Sequence, residues 1–325
     1  MTRRERMMAA LRCHQPEEAC PIWEIEFHLY DRLADRRFIV GREFAALTPA
    51  EQERALHANA EIMVDVAQRL HFAALTSIGG YWEVAPGEPA YMWLPDDGPR
   101  RFLSILKKTA GQEICVIAES GGTIGMPAAH DYVDFSYQLY DRPEEIDAMA
   151  KKRLAASKET IARFADEGVD VVLSCCDVAD NHGVYFNPQH LQRFFMPYLN
   201  EWADAVQAAG MCSILHTDGN IDTMIDQLAA GSLHAVQALD PTAGTDIAAV
   251  KKRVNGRLCL CGNIDLSLFH HGPPEAVYQQ TRDVCLACKP GGGFALGASN
   301  AVFREVPIDN YLAMIEAWKE YGRYD

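Results

Sequence analysis

Short apolar runs alternate along this chain with longer stretches whose apolar residues recur at helical spacing. That alternation is the signature of parallel βαβ units. Residues 1–20, rich in Arg and Glu, read as an N-terminal helix. Strands are expected at Pro21–Phe27, Phe72–Ile78, Ile114–Ala118, Val169–Ser174, Ser213–Leu215, Ala235–Ala238, Leu258–Cys261 and Phe294–Leu296. Helical material follows each of them. In Pro49–Leu70, for example, Ala55, Leu56, Ala60, Ile62 and Val66 fall near a 3.6-residue period. Asn187-Pro188 supplies an N-cap and a first-turn proline for a helix whose apolar stripe is Leu191, Phe194, Phe195, Tyr198, Leu199 and Trp202. Residues 81–112 carry Pro, Gly and Asp turn signals and read as an inserted hairpin, Tyr91–Leu94 against Phe102–Lys107.

Eight strands, each followed by a helix, predict an α/β fold: one (β/α)8 TIM barrel spanning residues 1–325 as a single domain, with residues 1–20 as a helical extension and the hairpin inserted after strand two. A doubly wound sheet would place a glycine-rich phosphate turn after an early strand. Ser77-Ile78-Gly79-Gly80 matches that turn poorly, and Gly291-Gly292-Gly293 precedes a strand rather than following one.

Composition narrows the partners. With 30 Lys and Arg against 45 Asp and Glu, the net charge of −15 argues against nucleic acid, which is bound mainly through basic residues. No run of about 18 apolar residues is present, and no apolar segment follows the basic N-terminus, so neither a membrane span nor a secretory signal is expected. Ten cysteines without an export signal then point to reduced thiols in a cytoplasmic protein.

In a barrel, chemistry collects where the strands end. The first strand carries Glu24 and Glu26; Glu119 follows the third, Asp177 the fourth, and Gln237 the sixth. Asn263 and Cys261 end the seventh, and Ser299 and Asn300 follow the eighth. Polar loop starts are often only helix caps. The pair His216 and Asp218, two apart at the end of the fifth strand, carries more information because both side chains share one strand face. Such a pair suits either a divalent metal or a histidine held by a carboxylate as a general base. Cys261, close to its strand's end, is a further ligand candidate, whereas Cys285-Leu286-Ala287-Cys288 reads as core packing.

The segments Leu215-His216-Thr217-Asp218-Gly219, Gly262-Asn263-Ile264-Asp265, Gly292-Gly293-Phe294 and Pro307-Ile308-Asp309-Asn310, taken in order, resemble the uroporphyrinogen decarboxylase superfamily, which includes cobalamin-dependent methyltransferases. The resemblance implies the same barrel and is compatible with a homodimer. The decarboxylase branch grips its polycarboxylate through arginines after the first strand; here that segment reads Trp23-Glu24-Ile25-Glu26-Phe27-His28. The methyltransferase branch binds zinc through His-x-Cys and a later Cys. This chain keeps His216, but Asp218 replaces the first Cys and no Cys stands near Gly297.

The resemblance therefore implies a methyltransferase component of a corrinoid-dependent demethylation system. It would move a methyl group from a small methylated donor, such as an aryl methyl ether, to the cobalamin of a separate corrinoid protein, with zinc on a harder ligand set built from His216 and Asp218 with a carboxylate such as Glu24, Glu26 or Asp177. His216, Asp218 and Asp177 are the candidate catalytic residues. Glu24, Glu26, Glu119, Gln237, Asn263, Ser299 and Asn300 are the candidate substrate contacts, and Trp23, Tyr30, Tyr81 and Phe303 a candidate apolar wall. The alternatives are a lyase acting on a carboxylated substrate, with Asp177 or Asp218 as proton donor or charge stabiliser, and a barrel without catalysis that binds a small ligand or serves as an assembly partner.

Overall fold

The computed structural model describes residues 1–324. Seven parallel strands form one curled sheet in chain order: β1 (Ala74–Thr76), β2 (Cys115–Glu119), β3 (Val171–Cys175), β4 (Cys212–Thr217), β5 (Ala235–Ala238), β6 (Cys259–Cys261) and β7 (Phe294–Ala295). The eighth stave is shorter than expected. Of Pro21–Phe27, Ile22 alone bridges both sheet edges, pairing in parallel with Phe72 on one side and Leu296 on the other. The bonds Trp23 N–H to Leu296 O (2.9 Å), Leu296 N–H to Pro21 O (2.8 Å) and Ala73 N–H to Ile22 O (2.8 Å) close the barrel. Pro21 has no N–H to extend that ladder.

Strand alternation sorts the side chains into two cores. Cys115, Ile117, Val171, Leu173, Cys212 and Ile214 point into the barrel, and Val116, Val172, Leu215, Val236 and Leu260 pack outward under the helices. The barrel's N-terminal end is closed by α1 (Arg3–Leu11), which buries Met7, Met8 and Leu11 against the inner core. Thr2 and Glu5 cap its start reciprocally. The expected helix over residues 1–20 thus stops at Leu11, where Arg12 leaves helical geometry and Cys13 turns to φ 57°. Arg4 and Lys107 each reach the buried Asp170 at 2.6 Å, tying the helix to the barrel floor.

The inserted hairpin exists at other residues than expected. Glu83–Ala85 pairs with Glu88–Pro89 around Gly87 (φ 81°), while Phe102–Lys107 lies inside a helix, Gly98–Ala110. The error has a physical origin. Phe102, Leu103, Ile105, Leu106 and Ala110 form a helical buried stripe, and a short window of it mimics strand alternation. Among the described residues, no helix is long and apolar enough to cross a membrane.

Candidate active site

The inward alternation that fills the barrel with Ile117, Leu173, Ile214 and Ala235 brings polar residues inward one step later: Glu119, Cys175, His216 and Gln237. Cys175, His216, Gln237 and Cys261 occupy one cross-strand row. The loop after β4 is held close by Gly219 (φ 82°), where a Cβ would stand 2.6 Å from the Ala179 backbone. That close approach allows the Asp218 N–H to donate to Asp177 Oδ1 at 2.9 Å.

His216 is buried, and its two ring nitrogens have different surroundings. The Gln237 amide nitrogen donates to the carbonyls of Ala298 (3.2 Å) and Ser299 (3.3 Å), so Gln237 Oε1 faces His216 Nδ1, 2.5 Å away, as an acceptor. Nδ1 therefore carries the proton, and in the neutral ring Nε2 presents a lone pair. Nε2 lies 4.0 Å from Asp177 Oδ1 and 3.9 Å from Asp218 Oδ1, too far for hydrogen bonds. One ligand atom from each of the three residues falls within 4.8 Å of the others. An imidazole nitrogen with two carboxylates fits a divalent cation of borderline hardness such as zinc, without thiolates. Burial raises the Asp218 carboxyl; Asp177 and Asp240 add to this, while His216 and the Asn300 amide (2.6 Å) oppose it.

These groups open into a cavity of about 680 Å³, which also receives Glu24, Glu26, Glu119, Cys175 and Asn300. Glu24 sits at its inner edge, accepting from Ala298 N–H (2.9 Å) and Tyr311 O–H (2.8 Å), and burial pushes its carboxyl up to about 8. Glu119 is raised by burial, with Glu26 adding to the shift. Glu26 Oε1 stands 2.9 Å from His28 Nε2. Tyr30, Tyr81 and Phe303 supply the expected aromatic wall, joined by Phe27, Trp82 and Met92. No Lys or Arg lines this cavity among the described residues.

Several expected contacts lie elsewhere. Cys261 shares a row with His216, but Gln237 stands between them and Nε2 faces the other way, so its thiol belongs to the inner core rather than to the metal set. Gln237 is buried behind His216 and orients it without lining the cavity. Asn263 donates to Leu239 O (2.7 Å), and Ser299 is buried with its N–H on Ile264 O, so both brace the loops beneath the mouth. Trp23 lies in the inner core, its indole N–H on Thr76 Oγ1 at 2.9 Å. Conversely, Cys175 faces the cavity unexpectedly, although the series Val171, Leu173, Cys175 carried that signal; burial holds its thiol well above the usual range. Trp82 and Met92 come from irregular segments that have no period to read.

Residues 100–321 match the family described as Uroporphyrinogen decarboxylase (URO-D). The uroporphyrinogen decarboxylase of Coxiella burnetii (strain RSA 493 / Nine Mile phase I) is 25% identical over 187 residues, which is 57% of this chain and 50% of that protein. That of Azoarcus sp. (strain BH72) is 23% identical over 213 residues, covering 64% and 55%. The match thus spans about half the length of these curated relatives. Among solved structures, a methyltransferase from Methanosarcina mazei superposes with a TM-score of 0.65 at 15% identity, covering 99% of each chain. A cyclic alpha-maltosyl-(1→6)-maltose hydrolase from Arthrobacter globiformis, in its ligand-free form, reaches 0.51 at 10% identity, covering 96% and 82%. At such identities these likenesses concern the fold alone.

Proposed function

The chain belongs to the uroporphyrinogen decarboxylase family, and from that premise we propose that it is the methyltransferase component of a corrinoid-dependent demethylation system. It takes a methyl group from a small methylated donor in the barrel mouth and delivers it to the cobalt of a separate corrinoid protein. The observation that carries this reading is the charge of the cavity: among the described residues, five carboxylates and no Lys or Arg line it. A polycarboxylate substrate needs cationic, bidentate grips and would meet repulsion here. The alternative, a lyase with Asp177 or Asp218 as acid, suffers the same objection because its substrate is also carboxylated. A methylated donor needs no cationic grip. It does need an apolar surface, and Tyr30, Tyr81, Trp82, Met92 and Phe303 offer one.

His216, Asp177 and Asp218 are the residues that would hold zinc, which supplies Lewis acidity toward the heteroatom losing its methyl group. Gln237 fixes His216 with Nε2 open to that position. Asn300 steadies Asp218 by donating to Oδ2, and the Asp218 N–H steadies Asp177. The experiment is methyl transfer from candidate donors to a purified reduced corrinoid protein, followed in the corrinoid's visible spectrum. Transfer by the wild type and its loss in His216→Ala are expected; undiminished transfer in that variant overturns the assignment.

A further inference from the structure

Resting on the methyltransferase reading, we propose that the donor is itself a cation, a methylated ammonium whose positive head is held between Glu26 and Glu119 against the rings of Tyr81, Trp82 and Phe303. The charge count leads there. A divalent cation on His216, Asp177 and Asp218 would balance two of the five carboxylates. Glu24 has both oxygens occupied by Tyr311 and Ala298, and with its carboxyl at about 8 it is mostly uncharged near neutral pH. Glu26 and Glu119 remain. Glu26 has the His28 imidazole beside it, and among the described residues no Arg or Lys makes an ion pair with Glu119, although Arg100 and Arg163 line the adjoining cavity with it. Arg304, next to Phe303 in sequence, is engaged by Asp31 at 2.7 Å and by the Tyr91 ring.

The bond-free Nε2 of the buried His216 serves the metal position, and the same cavity is lined by the rings of Tyr81, Trp82 and Phe303. Tyr81 and Trp82 are about half exposed at the rim, and the Tyr81 hydroxyl is tied to Glu83 (2.6 Å). Aromatic faces beside acidic groups are a recurrent way to bind quaternary ammonium, because the ring quadrupole attracts a cation that is too diffuse to hydrogen-bond. The chemistry balances. The C–N bond breaks, its electron pair stays on nitrogen to give a neutral amine, and the methyl group passes without that pair to the reduced corrinoid cobalt of the partner; the ammonium nitrogen has no lone pair before that break, so a zinc on His216, Asp177 and Asp218 would act only on the pair the departing amine gains.

The test is calorimetric titration of the full chain, with zinc present, by choline and by its neutral isostere 3,3-dimethylbutan-1-ol. Choline is expected to bind at least about tenfold tighter than the isostere. Glu119→Gln, checked for an unchanged Tm, should lose about tenfold in choline affinity and leave the isostere unaffected. Equal binding of the two probes, no choline binding, or indifference to Glu119→Gln overturns the proposal. Turnover of a neutral aryl methyl ether without choline selectivity rejects the cationic donor and leaves methyl transfer standing. Choline selectivity with no methyl transfer from any donor rejects the methyltransferase reading and keeps the cation site.

Discussion

The two ends of the barrel treat acidic side chains in opposite ways. At the floor, Asp170 is almost fully buried, and it is matched by Arg4 and Lys107 at 2.6 Å and by the Val116 N–H at 2.8 Å. At the mouth, Glu119, Asp177 and Asp218 face a cavity that no Lys or Arg lines among the described residues. A compensated carboxylate holds elements together; an uncompensated set waits for a ligand to supply the charge. The position of each group on its strand, before the first inward residue or after the last, decides which it becomes. This division of labour matches the barrel's general plan, with stability at one face and chemistry at the other.

The sharpest way to break the contrast is to remove the floor's acid. Asp170→Ala leaves Arg4 and Lys107 without their buried partner and should cost about 3–5 kcal/mol in chemical denaturation, with methyl transfer per folded molecule unchanged. His216→Ala is expected to do the reverse: unfolding within about 1 kcal/mol of wild type, and transfer reduced by more than about 100-fold. Gln237→Leu frees the His216 ring to choose the wrong tautomer, so zinc affinity should fall roughly 10- to 100-fold while the ligand set stays intact.

A further contrast lies in pH. Because burial raises the Glu24 carboxyl from its ordinary range to about 8, the unfolded chain releases this proton first. Glu24 therefore makes stability fall as pH rises from about 4.5 to about 8, by at most about 1.4 kcal/mol per pH unit. Glu24→Gln, which can still accept from Ala298 and bond Tyr311, should flatten that limb of the stability profile. An unchanged slope would mean Glu24 is not held neutral by the fold.

Much of this was legible in the chain. The short apolar runs placed seven of the strands close to where they stand, and His216 with Asp218 was singled out by its spacing at a strand end. Ile22 did not read as a lone bridge, because apolar neighbours on both sides mimic a full strand while Pro21 silently shortens the ladder. Cys261 misled because nearness to a strand's end does not tell which way a neighbouring imidazole turns; that depends on the Gln237 amide. Asn263 and Ser299 misled because braces under a loop and contacts above it have the same composition.

The most direct test is calorimetric titration of zinc into metal-free wild type, His216→Ala and Asp170→Asn. The account predicts about one zinc per chain in the wild type, its loss in His216→Ala, and its retention in Asp170→Asn. Absence of binding in the wild type, or binding indifferent to His216, would contradict a mouth built to receive a cation.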